Sequence, residues 1–213
     1  MDISLEIIPG ILEKEWSGIE KKIELSRSFA KTLHIDIIDG EFVNNKTFLD
    51  PTPFIKYSSD FLLELHMMVD NPIQYVEAFA KAGFKRFLGH IEMMPDQNEF
   101  LNHAKKFGEV GLAIDGPTEL QEIKVPFTQP DIFLLYTSQQ VGFSGSPFLP
   151  ERVEKIKSLR SQTTTSIEVD GGITNDTLSV AKEAGADKFV STSFIFSSNQ
   201  SAQEQFNELK SLL

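Results

Sequence analysis

The residues best suited to chemistry lie in one short apolar stretch, Leu33–Gly40. It carries His34, Asp36 and Asp39 among leucine and isoleucine, and an apolar run of this length that ends at a glycine is typical of a buried parallel strand. Alternate residues of a strand share a face, so we expect His34, Asp36 and Ile38 to point inward together. Buried polar side chains are costly unless they are paired. A divalent metal ion is the simplest partner for this pair, and a buried His–Asp hydrogen bond is the alternative.

Two more residues of the same kind occur at strand ends further along the chain. His66 lies in the apolar run 61–69, and Asp170 closes the run 166–170. With His34 and Asp36 they form a set of two imidazoles and two carboxylates, which suits zinc, iron(II), cobalt or manganese. Four protein ligands close a tetrahedral zinc site, so catalysis requires the coordination to expand for substrate oxygens. A metal-free polar cluster is the alternative, but core filling explains it poorly because all four residues fall at strand ends.

The elements that position these residues alternate between strand and helix along the whole chain. Eight strands are predicted at residues 5–9, 33–39, 61–69, 86–90, 110–114, 131–136, 166–170 and 188–191, with short connections between them. Strict alternation indicates a parallel sheet, and eight units in this length fit an α/β fold of the (β/α)8 TIM barrel type. We therefore predict a single barrel domain over residues 1–213. A doubly wound open sheet is the alternative, weakened because no G-x-G-x-x-G follows the first strand.

Small residues in three loops predict a phosphate site. Gly142–Ser146 follow the sixth strand, Gly171 and Gly172 the seventh, and Ser191–Ser193 the eighth. The loops after the last two strands of a barrel, with the amino terminus of a short extra helix, are the usual seat of a phosphate group. Glycine lets backbone N–H groups approach an anion closely.

Composition limits the partners and the location. The chain has 213 residues and a net charge of -11, which disfavours nucleic acid and anionic membranes as partners. It has no cysteine, which excludes disulfides, thiolate metal sites and cysteine nucleophiles. Without a signal pattern or a long apolar span, the protein is expected to be cytoplasmic. The sequence allows a homo-oligomer.

Four motifs in this order resemble the ribulose-phosphate 3-epimerase family: HIDIIDG at 34–40, LHMMV at 65–69, GFSG at 142–145 and EVDGGI at 168–173. The resemblance covers nearly the whole chain and implies a phosphate-binding (β/α)8 barrel. It implies one divalent metal ion (zinc, iron(II), manganese or cobalt) held by His34, Asp36, His66 and Asp170, with Asp36 and Asp170 as the catalytic proton-transfer pair. The residues it implies for binding substrate and phosphate are His66, Met68, Gly142, Phe143, Ser144, Gly145, Gly171, Gly172, Thr192 and Ser193.

The reaction implied is 3-epimerisation of a ketose phosphate, D-ribulose 5-phosphate to D-xylulose 5-phosphate. A metal stabilises the enediolate, one carboxylate takes the C3 proton and the other returns a proton on the opposite face. Alternatives are a hexulose-6-phosphate 3-epimerase and a non-catalytic relative that binds metal or sugar phosphate. Related barrels catalyse decarboxylation or aldol cleavage, but no lysine lies at the inner end of strands one to seven.

The sequence also departs from the family pattern at five places. Gly10 replaces a serine, Ile38 and Thr137 replace methionines, Val141 replaces a proline before the glycine loop, and Thr192 replaces a glycine. We expect Thr137 to make the pocket wall more polar and Thr192 to crowd the phosphate. For His90 and Glu92, which match a family motif, a structural hydrogen bond and a catalytic role both remain open.

Overall fold

A computed structural model describes residues 4–197 and 200–213, and within them eight parallel strands close into a barrel in the order of the chain. The strands are β1 Glu6–Ile11, β2 Thr32–Ile38, β3 Leu62–Met68, β4 Arg86–His90, β5 Glu109–Ile114, β6 Ile132–Tyr136, β7 Ser166–Asp170 and β8 Lys188–Ser191. The predicted (β/α)8 TIM barrel is therefore confirmed.

Helices cover the outside of the barrel in the described residues. They are α1 Trp16–Ser26, α2 Ile73–Lys81, α3 Gln97–Ala104, α4 Arg152–Arg160, α5 Asn175–Glu183, α6 Ser193–Phe196 and α7 Ala202–Lys210. After β2 and β5 the connections contain 3-10 turns, at Thr52–Tyr57 and Leu120–Glu122. The connection after β5 therefore contains one 3-10 turn in place of an α-helix. None of the described helices is long and apolar enough to cross a membrane.

The alternation predicted for β2 is confirmed. Ile35 and Ile37 pack into the large apolar layer between barrel and helices, whereas Ile38 packs inside the barrel mouth against Met68. On the opposite side of the interior, apolar residues of β4, β5 and β6 fill the barrel with a separate cluster made of Leu88, Ala113, Ile132 and Leu134. The β2–β3 side of the interior is polar instead, which leaves room there for a chemical site.

The strand register places the polar residues at matching heights. His34 pairs with Glu64, and Asp36 pairs with His66, on the neighbouring strands β2 and β3. Asp170 lies at the carboxyl end of β7, across the mouth. Because chemistry in this fold occurs at the carboxyl ends of the strands, a functional site is expected at this face of the barrel.

Candidate active site

Four side chains at the barrel mouth bring their ligand atoms together. Nδ1 of His66 lies 2.9 Å from Asp36 Oδ1 and 3.6 Å from Asp170 Oδ2. Nε2 of His34 lies 3.3 Å from the same Asp36 oxygen and 4.0 Å from Asp170 Oδ2. Both histidines are fully buried, and the side chain of Asp170 is 13% exposed, so solvent reaches the group only from the aspartate side.

The spacing of these atoms fits a divalent ion. Four ligands about 2.0–2.2 Å from a common tetrahedral ion lie roughly 3.3 Å from one another. The four distances above, from 2.9 to 4.0 Å, bracket that value. Within the described residues, His34 Nε2 is buried without a hydrogen-bond partner and faces the two carboxylates. A buried imidazole nitrogen without a hydrogen-bond partner, beside two carboxylates, is a position that a cation would satisfy.

A series of buried, ion-paired side chains holds His34. Its Nδ1 lies 2.5 Å from Glu64 Oε1, and the other oxygen of Glu64 accepts a 2.6 Å hydrogen bond from Arg86 Nη1. Arg86 Nε in turn donates to Glu109 Oε2 at 2.7 Å. Since Glu64 is an acceptor, His34 donates from Nδ1, and Nε2 is directed at the cluster. Asp36, Glu168 and Glu64 raise the pKa of His34 despite burial, so a bound metal would take the place of a proton on Nε2. A carboxylate behind a metal-binding imidazole is a common way to orient it.

His66 is held by a second chain that leads outward. Its Nε2 lies 2.9 Å from His90 Nε2, and His90 Nδ1 lies 2.9 Å from Glu92 Oε2. Glu92 Oε1 accepts from the backbone N–H of Asp115 at 2.8 Å. The hydrogen bond from His90 holds the pKa of Glu92 at about 2 despite burial, so this carboxylate can only accept.

Because Glu92 is an acceptor, it determines which ring nitrogens of His90 and His66 carry a proton. His90 must donate from Nδ1 to Glu92, so a neutral His90 accepts on Nε2 and His66 donates from its own Nε2. Burial lowers the pKa of His66 to about 4, so its ring is neutral and its Nδ1 is a bare lone pair 2.9 Å from Asp36 Oδ1. Two acceptors facing each other need a cation between them. The position of His66 Nδ1, like that of His34 Nε2, therefore supports a cluster that could bind a divalent metal.

The two aspartates differ in charge state. Burial opposes ionisation of Asp36, but the charge of His34 outweighs it and holds its pKa below the usual range. Burial and the neighbouring Asp36 raise the pKa of Asp170 to about 7. In the metal-free protein Asp36 is therefore ionised, whereas Asp170 can hold a proton near neutral pH.

One open cavity joins this cluster to the glycine loops. It is lined by Asp36, Asp170 and Met68 and by the predicted phosphate residues Gly142, Phe143, Ser144, Gly145, Gly171, Gly172, Thr192 and Ser193. His34 and His66 lie buried behind Asp36. The structure thus brings all the predicted site residues to one mouth of the barrel.

The glycine loop after β6 is held without the proline of the family pattern. Asn45 Nδ2 donates to the carbonyl of Gly142 at 2.8 Å, and Tyr136 Oη donates to the carbonyl of Gln140 at 2.8 Å. Val141 is buried in the apolar cluster with Ile38 and Tyr136. Packing and two side-chain hydrogen bonds therefore hold the loop.

The expectation for Thr137 was wrong. Its side chain is fully buried, and its hydroxyl donates to the carbonyls of Asp170 and Gly171 at 2.9 and 2.7 Å. Within the described chain it does not line the cavity, where Tyr136 lies instead. The hydroxyl satisfies the end of β7 rather than making the wall more polar, and so it supports the strand that carries Asp170.

Sequence reasoning missed the buried charges beneath the cluster. Glu64, Arg86 and Glu168 are almost completely inaccessible to solvent. Burial and the neighbouring Glu64 raise the pKa of Glu168 to about 8, so this group is mainly protonated at neutral pH. Glu64 precedes His66 by two positions and Glu168 precedes Asp170 by two. The period of two along a strand was therefore a usable signal that both point inward.

The fold and the site define a class of protein: a (β/α)8 barrel with a buried His–Asp cluster that could hold a metal ion, beside loops of small residues. The sequence profile of the ribulose-phosphate 3 epimerase family matches residues 6–196. The chain belongs to this family. Its reaction class is therefore that of an epimerase acting on a sugar phosphate.

Individual relatives agree with that assignment. A ribulose-phosphate 3-epimerase of Chlamydia muridarum is 38% identical over 81% of this chain and 79% of its own length. The cytoplasmic isoform of Oryza sativa subsp. japonica is 35% identical over 90% of this chain and 87% of its own. The crystal structure of 3-hexulose-6-phosphate synthase from Salmonella typhimurium superposes with a TM-score of 0.74, at 10% identity and 98% coverage of both chains. That likeness shows the fold alone.

Proposed function

We propose that the protein catalyses the metal-dependent conversion of D-ribulose 5-phosphate to D-xylulose 5-phosphate by inverting C3. The observation that carries the proposal is the pair Asp36 and Asp170, whose oxygens converge on one site together with His34 and His66. Inversion requires a base on one face of C3 and an acid on the other, and this pair supplies both.

His34, Asp36, His66 and Asp170 would hold the ion, in agreement with the two imidazole nitrogens directed at the cluster. When bound, the ion supplies positive charge that stabilises the enediolate formed next to the substrate carbonyl. Asp36, the ionised group, takes the proton from C3, and Asp170 returns a proton from the opposite face. In the reverse reaction the two residues exchange roles.

The loops of small residues would hold the phosphate at the other end of the cavity. Backbone N–H groups of glycine loops bind anions without a basic side chain, which suits a protein of net charge -11. Gly142–Gly145, Gly172 and Ser193 are the residues we assign to this end. Met68 and Ile38 form the apolar wall beside the reacting carbons. This wall limits water access to the enediolate.

Proton NMR in deuterium oxide tests the proposal directly. D-ribulose 5-phosphate is incubated with protein reconstituted separately with zinc, iron(II), manganese and cobalt. The expected result is loss of the C3 proton signal with appearance of D-xylulose 5-phosphate, and the most active preparation identifies the working metal. Exchange without product would show that one carboxylate is not functional. No exchange with any metal would overturn the proposal, and a hexulose 6-phosphate assayed in parallel would show a longer substrate.

A further inference from the structure

Gly10 and Thr192 share one volume in the barrel mouth. Gly10 lies on β1 and pairs with His34 of β2, whereas Thr192 follows β8 and precedes Ser193. A Cβ atom on Gly10 would collide with Thr192 Oγ1 and lie 2.9 Å from Val190 Cγ1. The absence of a side chain at Gly10 is therefore what allows the threonine side chain to lie across the end of β1.

The Thr192 hydroxyl differs from its neighbours in having no partner. Ser191 Oγ donates to the carbonyl of Ile173 at 2.8 Å, and Thr137 Oγ1 donates to two carbonyls of the β7 end. No hydrogen bond formed within residues 4–197 and 200–213 uses Thr192 Oγ1, and the residue is only partly buried on the cavity wall. A hydroxyl is both donor and acceptor, so this one is available to a ligand.

Its location also specifies which part of a ligand it would meet. Through Gly10 it adjoins the strand position of His34, and through the chain it adjoins Ser193 of the phosphate end. Thr192 also lines the same cavity as Asp36, Asp170 and the glycine loop 142–145, so a molecule that spans this cavity can meet its hydroxyl. The side chain is turned toward Gly10, which argues against the crowding of the phosphate that the sequence suggested.

We propose that Thr192 is a substrate-binding residue whose hydroxyl hydrogen-bonds a carbon-chain hydroxyl of the ketose phosphate, between the reacting carbons and the phosphate. This inference rests on the proposed function, because it takes a ketose phosphate as the ligand. Gly10 is its steric partner and has no contact of its own with substrate.

The test compares Thr192→Val, which keeps the shape and removes the hydroxyl, with Thr192→Ser, which keeps the hydroxyl. Steady-state kinetics and calorimetric titration of D-ribulose 5-phosphate are measured on metal-loaded protein. Loss of one neutral hydrogen bond should raise KM and weaken binding roughly three- to tenfold in Thr192→Val, with kcat nearly unchanged. Thr192→Ser should recover most of the affinity. Equal KM and equal binding in all three proteins would overturn the inference while leaving the epimerase assignment intact.

Two further outcomes separate this inference from the function. Wild-type protein that binds D-ribulose 5-phosphate without turnover would overturn the function, and the binding comparison would still decide the role of Thr192. Wild-type protein that neither binds nor converts it would overturn both. For the steric part, Gly10→Ala should lower the melting temperature, and Gly10→Ala combined with Thr192→Gly should restore it. A melting temperature unchanged by Gly10→Ala would contradict the shared volume.

Discussion

The two ends of the cavity are built by different means. At one end, His34, Asp36 and His66 are buried on adjacent strands. Hydrogen bonds to the side chains of Glu64 and His90 hold the two histidines. At the other end, the proposed phosphate site consists of backbone on three loops, and glycines in two of these loops have positive φ angles. The first end depends on charge and tautomer, and the second on steric room.

This difference predicts how each end fails. Removing a charge at the His–Asp end leaves a buried partner unsatisfied, which is costly because water cannot replace it. Adding a methyl group at the glycine end changes backbone geometry and leaves the charges as they are.

Asp36→Asn should abolish C3 exchange of D-ribulose 5-phosphate, and both Asp36→Asn and Asp170→Asn should lower the rate of D-xylulose 5-phosphate formation by about 10²–10⁴-fold or more, since a proton-transfer group is worth that much. The measurements are the rate of deuterium incorporation at C3 and the rate of product formation, with circular dichroism to verify that the barrel is folded. The two-carboxylate scheme is wrong if either variant keeps the wild-type rate of product formation.

Glu64→Gln should weaken metal binding about 10- to 100-fold, because it removes the carboxylate that orients His34. Glu92→Gln should weaken it less, since Glu92 acts on His66 only through His90. Affinities are measured by competition with a chelator. Glu109→Gln is the matched control, because that residue also contacts Arg86 but its side chain is 51% exposed and does not reach His34. Equal affinity in all three variants would show that neither chain supports the metal.

Gly172→Ala and Gly145→Ala form a matched pair at the loop end. Both glycines have positive φ, +75° and +88°, so both substitutions carry a similar backbone penalty of about 1–2 kcal/mol. A Cβ on Gly172 would also lie 2.6 Å from Phe148 Cα, whereas one on Gly145 meets no atom within 4 Å. Urea unfolding should therefore show a larger loss of stability for Gly172→Ala, together with a higher KM. Equal losses would mean that the loop moves aside freely.

The smallest effect concerns the pH dependence of the metal-free protein. In the folded state the pKa of Asp170 is about 7 and that of Glu168 about 8, both above their unfolded values. The folded state therefore binds more protons than the unfolded state, and this stabilisation is lost as the pH rises through 7 to 8. His34, whose pKa Asp36, Glu168 and Glu64 raise despite burial, acts in the same direction.

The free energy of unfolding of metal-free protein should accordingly fall between pH 6.5 and 8.5. The shift of His66 opposes this trend mainly below pH 6.5, so its effect within the window is small. Urea unfolding at the two pH values measures the effect. Bound metal should remove the contribution of Asp170, because a ligand carboxylate is deprotonated. A metal-free protein that becomes more stable over this range would contradict these charge states.

The sequence alone determined the barrel and the face of the site. Strand–helix alternation predicts the fold, and the two-residue period of β2 predicts that His34 and Asp36 point inward with Ile38. These are local properties, set by neighbours along the chain. The motif order was enough to place Asp170 and the glycine loops at the same mouth.

The contacts that hold those residues in place follow from the closed barrel and could not be predicted from the sequence pattern. The Glu64–His34 contact, the hydroxyl of Thr137 on the end of β7 and the volume shared by Gly10 and Thr192 all join residues at least thirty positions apart. Such contacts depend on the register of neighbouring strands and on closure of β8 against β1. A side-chain type predicts a capacity to bond, but the partner is set by where the closed barrel brings the atoms together.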